Sequence, residues 1–401
     1  MAATTTGTDR GLLPLREASS PAQQQKQQRE VFTCQTRDKH TLVLWRYAAA
    51  QGAAAAGSSS SSSSSSSTSA LPPRGRTHPV LMCHDMASNR FAFDLNPRVS
   101  VAGFMARQGW DTWVVELRGC GKSKFTGPSE RENTSWCFDD HVEDMRAFVE
   151  KVHAVSGKAV HVVGHGMGAM LAQCAAAGGA KGAAAGGGGD ARMVRSGVSL
   201  AGTFVMPDSA WKEFLWLWPV VQHFPTIQPE YIKEILAPMS FINTSELFIR
   251  HSNIDASVGR ELFAKNWEAI PVSLIAQLRS VVDAQGLRPA ADGNHGLYAD
   301  RLAAIKAPML MLAGAKDQQC SPGNMQAAAS RVAGSTYRCF GTQHGHRRDY
   351  GHFDLLVGLR AHEEVWSVVS DFLHQHDGDA VEAAEAASAA APAEETDVGG
   401  E

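Results

Sequence analysis

Residues 158–177 read KAVHVVGHGMGAMLAQCAAA, and this stretch decides the fold. Residues 159–163 form a short apolar, β-branched run, which predicts a buried strand. Gly164-His165-Gly166-Met167-Gly168 then predicts a sharp bend. Residues 169–175 are mostly good helix formers. Strand, tight turn and helix form the frame of a nucleophile elbow, G-x-S-x-G, which holds a serine on a strained bend at the top of a sheet. Gly164, His165, Met167 and Gly168 satisfy that frame. Gly166 stands where the serine should be.

Length and composition bound the rest. The chain has 401 residues, 44% hydrophobic and 19% charged, enough to build one large core or two smaller ones. The net charge of -4, with both signs interspersed, gives no reason to expect nucleic acid as a partner. The seven cysteines are scattered singly, which suits buried thiols in a reducing compartment better than a disulfide framework. No run approaches the roughly 18 to 20 apolar residues of a membrane span. The first thirty residues lack the apolar core of a secretory signal. They read as a disordered tail, with an organelle transit peptide as the second reading. The expected location is the cytoplasm or an organelle, the chloroplast included. Nothing in the composition settles the oligomeric state.

Outside the elbow, strand-like and helix-like segments alternate. Residues 31–47 (VFTCQTRDKHTLVLWRY) predict a hairpin turning at Arg37-Asp38-Lys39. Strands are expected at 79–83, 112–117, 194–201, 308–313 and 336–340, and helices at 101–108, 139–153 and 362–374. This alternation means a mostly parallel sheet covered on both faces. Low-complexity patches at 48–70, 178–190 and 377–401 cannot bury a core and read as flexible decoration. Residues 204–306 do not alternate. They are expected to form a helical cap over the sheet's C-terminal edge, where open α/β sheets bind ligands. Trp211, Trp216 and Trp218 in this interval, with His84, are candidate pocket residues. The expected organisation is therefore a tail (1–30), a first core part (31–203), the cap (204–306), a second core part (307–376) and an acidic tail (377–401).

At four blocks the chain resembles the α/β-hydrolase family. PVLMCHDMASN (79–89) resembles its strand and oxyanion loop. GWDTWVVELRGCGKS (109–123) resembles the D/E-x-R-G-x-G-x-S segment. The elbow is the third block. GAKD (314–317) with YGHFD (350–354) resembles the acid and histidine loops. WCFDDHVED (136–144) and GHFDLLVGLRAHEEVW (351–366) are similar to lipase-like plant and bacterial members. The resemblance covers roughly residues 31–373 less the inserts, in the order nucleophile, acid, base. It implies the α/β-hydrolase fold, no cofactor and a small apolar acyl ester or lipid as ligand. It also implies Asp317 as acid, His352 as base and the backbone N–H groups of Met86 and Met167 as oxyanion-hole donors. Asp354 is then a supporting carboxylate.

Two departures matter. His84-Asp85 replaces the family's His-Gly, placing a side chain in the oxyanion loop. Gly166 removes the nucleophile, so no acyl-enzyme can form there. Glycine also relieves the strain of the bend. The expectation is a lipase- or carboxylesterase-like protein that either hydrolyses slowly through a water activated by His352 or binds without turnover. Gly166→Ser is expected to create esterase activity toward short acyl esters if Asp317, His352 and the oxyanion loop are intact. Ser88, Cys83 and Cys320 are weaker candidates for the missing nucleophile. Residues 164–169 also satisfy G-x-G-x-x-A, a dinucleotide fingerprint. That reading is minor, because a glycine-alanine patch occupies the place of the acidic residue expected about 20 positions on. No metal is expected: His344, His346 and His352 are close in sequence, but no ligand spacing completes them.

Overall fold

The computed structural model describes residues 29–50, 76–124, 135–178, 192–228, 244–290 and 296–378. Its strands are β1 (Arg29–Gln35), β2 (Thr41–Tyr47), β3 (Val80–Cys83), β4 (Asp94–Asn96), β5 (Val99–Ser100), β6 (Thr112–Glu116), β7 (Val160–His165), β8 (Val194–Leu200), β9 (Thr226–Ile227), β10 (Ile270–Pro271), β11 (Met309–Gly314) and β12 (Thr336–Phe340). Eight of them form one sheet in the order β1-β2-β6-β3-β7-β8-β11-β12. β1 and β2 form the expected hairpin, and β2 joins β6 antiparallel. All later neighbours run parallel.

Helices cover both faces, and the central strands β3, β6, β7, β8 and β11 are buried on both sides. Val80 and Met82 pack into one buried cluster and Leu81 into the other, as the two-residue strand period requires. The first cluster includes helix α1 (Val101–Arg107), capped by the Ser100 hydroxyl on Gly103 N at 2.8 Å. The second includes α2 (Phe138–Ser156) and α3 (Met167–Ala176). Asp139 and Asp140 stand in the first turn of α2, where the helix dipole favours negative charge. Asp140 also accepts from Cys137 N at 2.8 Å. Arg118 and Asp144, both buried, pair at 2.6 Å and tie the loop after β6 to α2.

Four details differ from the sequence reading. The cap interval carries short helical segments (Ala210–Leu217, Trp218–Val221, Ala256–Lys265, Val272–Leu278), but also the antiparallel pair β9–β10. Strands of two residues are too short to leave a period in sequence. The final helix is broken at Val365 into Ala361–Glu364 and Trp366–Gln375. Asp377, placed by composition at the head of the acidic tail, is buried. Its carboxylate accepts from Thr77 N (2.8 Å) and His78 N (2.9 Å) and meets His161 Nε2 at 3.5 Å. Arg29 and Glu30, assigned to the N-terminal tail, belong to β1. The serine run 58–67 and residues 179–190 of the glycine-alanine patch lie outside the described residues. Among those described, no helix is long and apolar enough to cross a membrane.

Candidate active site

The elbow forms at the expected place. β7 ends at His165, α3 begins at Met167, and Gly166 turns the chain between them at φ 56°, ψ -120°. A positive φ of this kind strains any side-chain-bearing residue. The bend is also crowded: a Cβ on Gly168 would lie 2.2 Å from the Cys83 carbonyl oxygen. This glycine is what lets β3 and the head of α3 come together.

Asp317 and His352 meet as the resemblance implied. Asp317 follows β11, and its Oδ1 accepts from Gln319 N (2.8 Å) and Cys320 N (3.0 Å). Its Oδ2 lies 2.8 Å from His352 Nδ1. Asp354 braces the same loop by accepting from the backbone N–H groups of Gly351 (2.8 Å) and Arg250 (3.1 Å). Asp317 and His352 are both buried at the floor of the sheet's C-terminal edge.

The two backbone N–H groups expected as oxyanion donors do come together, but on a carboxylate of the same loop. Met86 N and Met167 N, the two expected donors, both donate to Asp85 Oδ1, at 2.7 and 2.6 Å. Asp85 Oδ2 lies 3.2 Å from His352 Nε2. One carboxylate thus takes both the oxyanion position and the space a serine hydroxyl would use. A Cβ built on Gly166 would fall 2.1 Å from Asp85 Cγ and Oδ1. The two departures seen separately in sequence are one physical event: the Asp85 side chain fits only because residue 166 has none. This corrects the expectation of open donors, and the open oxyanion loop on which the Gly166→Ser expectation rests is not present.

The electrostatics follow from this arrangement. Burial alone would lower the pKa of His352. The Asp317 carboxylate and then Asp85 outweigh it and push His352 up to about 10. Burial would raise the Asp85 carboxyl, but hydrogen bonding and charge from His352 hold it below the usual carboxylate range. His165, fully buried with its ring 4.5 Å from that of His352, is driven down to about 3 by burial and by His352. Its Nε2 lies 3.1 Å from the His352 carbonyl oxygen, while Nδ1 is buried without a partner.

Above Asp85 and His352 opens a cavity lined almost wholly by apolar groups, among them Met170, Met206, Leu215, Val221 and Ile275. Trp211 and Trp218 line it as expected. Two other candidates do not. Trp216 is 64% exposed on the outer side of its segment. His84 is buried below the loop, accepting from Leu117 N at 3.2 Å, and its pKa falls to about 4 through burial. The alternative nucleophiles are also unsuited. The Ser88 hydroxyl donates to Asn266 at 2.8 Å, and burial raises both the Cys83 and Cys320 thiols. His344 and His346 stay on the loop after β12, where the His346 ring packs on Phe340. For the dinucleotide reading, the N–H at the head of α3 that a pyrophosphate would need is already given to Asp85.

Known proteins agree with this architecture. A stretch of 102 residues is 30% identical to a protein named triacylglycerol lipase 2 from Arabidopsis thaliana; it spans 24% of this chain and 24% of that protein. An esterase from Thermogutta terrifontis superposes with a TM-score of 0.53 at 15% identity, covering 87% of this chain and all of that one. The esterase EaEST from Exiguobacterium antarcticum gives 0.54 at 16% identity, covering 85% and 98%. At such identities these two likenesses speak for the fold. The family model described as "Alpha/beta hydrolase family" matches residues 80–365, an interval that runs from the strand beneath Asp85 through the elbow and both partners of the Asp317–His352 pair. A sheet and a loop order of this kind, matched over most of the chain, make this protein a member of the alpha/beta hydrolase family.

Proposed function

We propose that the chain binds a small apolar acyl ester or lipid in the capped cavity and forms no acyl-enzyme on it. The observation that carries this reading is the Asp85 carboxylate seated on Met86 N and Met167 N. A tetrahedral intermediate needs those two donors for its oxyanion. Here a charged oxygen already holds them, and Gly166 supplies no attacking atom. The water route meets the same obstacle, since His352 Nε2, the atom that would take the water's proton, faces Asp85 Oδ2 at 3.2 Å. The ligand class follows from the lining: an apolar wall with two tryptophans suits an alkyl or acyl chain. A free carboxylate head would meet Asp85 at the cavity floor and be repelled, so a neutral ligand fits better.

Tryptophan fluorescence titrated with methyl decanoate, with product acid followed in parallel, tests the proposal. Saturable quenching without release of decanoic acid is the expected result. A covalent acyl adduct, or fluorophosphonate labelling at the elbow, overturns it; so does the absence of any binding.

A further inference from the structure

We infer that Asp85, His165 and His352 form a binding site for a single divalent transition-metal ion of the zinc class. This goes beyond the lipid-binding reading and does not depend on it. One nitrogen of each ring and one carboxylate oxygen lie within 4.8 Å of one another, all buried. Two imidazoles and one carboxylate are a donor set suited to zinc, iron(II) or cobalt(II).

The surroundings are those of metal ligands as well. A ligating histidine nearly always gives its second ring nitrogen to a carboxylate or a backbone carbonyl. His352 does the first, through Nδ1 to Asp317 at 2.8 Å. His165 does the second, through Nε2 to the His352 carbonyl oxygen at 3.1 Å. These contacts leave His165 Nδ1 and His352 Nε2, the latter facing only Asp85 Oδ2 at 3.2 Å, as the ring nitrogens turned toward the ion's place. His165 Nδ1 is buried with no hydrogen-bond partner, a state that normally calls for an explanation. An ion accepting its lone pair supplies one. Asp85 is anchored in the same way, its Oδ1 on two backbone N–H groups while Oδ2 points to His352. Binding displaces the proton that His352 Nε2 shares with Asp85, and the carboxylates of Asp85 and Asp317 then balance a doubly charged ion.

Zinc–nitrogen bonds of about 2.0–2.1 Å in a tetrahedral site separate donors by about 3.3 Å. Asp85 Oδ2 and His352 Nε2 already stand 3.2 Å apart. The His165 ligand atom lies within 4.8 Å of both. Because Asp85 and His352 line the apolar cavity while His165 lies behind them, the open fourth position faces the ligand space. A water or a ligand carbonyl oxygen would sit there.

The test uses the full chain, stripped with chelator and titrated with zinc by calorimetry and with cobalt(II) by visible absorption. One ion per chain is expected, with cobalt bands in the tetrahedral or five-coordinate range. His165→Gln and Asp85→Asn should each weaken zinc by 100-fold or more. Asp317→Asn, which removes the carboxylate behind His352, should weaken it about 10–100-fold. His78→Gln changes the other buried histidine–carboxylate cluster, His78–His161–Asp377, and should leave the affinity unchanged. Thermal unfolding of each variant confirms that it folds. No zinc uptake by the native chain overturns the inference. So does uptake that His78→Gln abolishes and folded His165→Gln retains.

Discussion

Consider replacing Gly166 by serine, alone and together with Asp85→Gly. The new Cβ would sit 2.1 Å from Asp85 Cγ, so the carboxylate must leave its place. That forfeits two backbone N–H bonds to a charged acceptor, about 1.5–3 kcal/mol each. The bend at φ 56° adds about 1–3 kcal/mol for a residue with a side chain. Gly166→Ser alone should therefore lose roughly 4 kcal/mol or more of stability and gain no esterase activity. With Asp85→Gly present the clash is gone and Met86 N and Met167 N are open. The double variant should be more stable than the sum of the single variants, by a coupling of about 0.5–3 kcal/mol. It should also cleave p-nitrophenyl butyrate with a burst and take up a fluorophosphonate at position 166. The expected gain is at least about 10³-fold over the native chain, inside the roughly 10⁶-fold that a serine contributes to a working triad. Urea unfolding and stopped-flow absorbance measure the two halves. If Gly166→Ser alone is as stable as the native chain and reacts with the probe, Asp85 does not fill the hole and the reasoning fails.

Other perturbations report on other parts of the molecule. Leu278→Trp, at the cavity wall, should weaken methyl decanoate about tenfold, some 1.4 kcal/mol, in the fluorescence titration while leaving the urea midpoint nearly unchanged. Arg118→Met takes the guanidinium from the fully buried Asp144 carboxylate and leaves it His141 Nδ1 at 3.3 Å, and should cost about 3 kcal/mol in urea unfolding. Asp377→Asn should loosen the clamp on His78 and His161, seen as faster amide exchange in Trp366–Gln375. Burial raises the Asp377 carboxyl, but hydrogen bonds from His161 and His78 bring its folded pKa well below the ordinary value. Its contribution is therefore present above the unfolded carboxylate pKa of about 3.9 and is lost as pH falls through the lower folded value. The destabilisation by Asp377→Asn should accordingly be full at pH 7 and shrink on acidification. An effect that grows toward low pH would refute the clamp.

Much of the fold was legible along the chain, because periodicity and turn chemistry are local. The hairpin, the sheet strands, the elbow and the order Gly166, Asp317, His352 all come from residues near one another in sequence. So did the two anomalies, Asp85 in place of glycine and Gly166 in place of serine, although they stood 81 positions apart with nothing local to join them. The strand register joins them: β3 lies beside β7 with Cys83 opposite Gly164, so the residues just past each strand face one another at the sheet edge. His165 illustrates the same limit. In sequence it is one position in a glycine bend; in space it lies behind His352 with an orphaned nitrogen. Trp216 and Trp218 are two residues apart and alike in composition, yet one faces solvent and the other the cavity. Local chemistry chose the elements and their order. Which side chains meet at the centre was decided by the pairing of distant strands, since long-range contact leaves no mark on the residues that lie between.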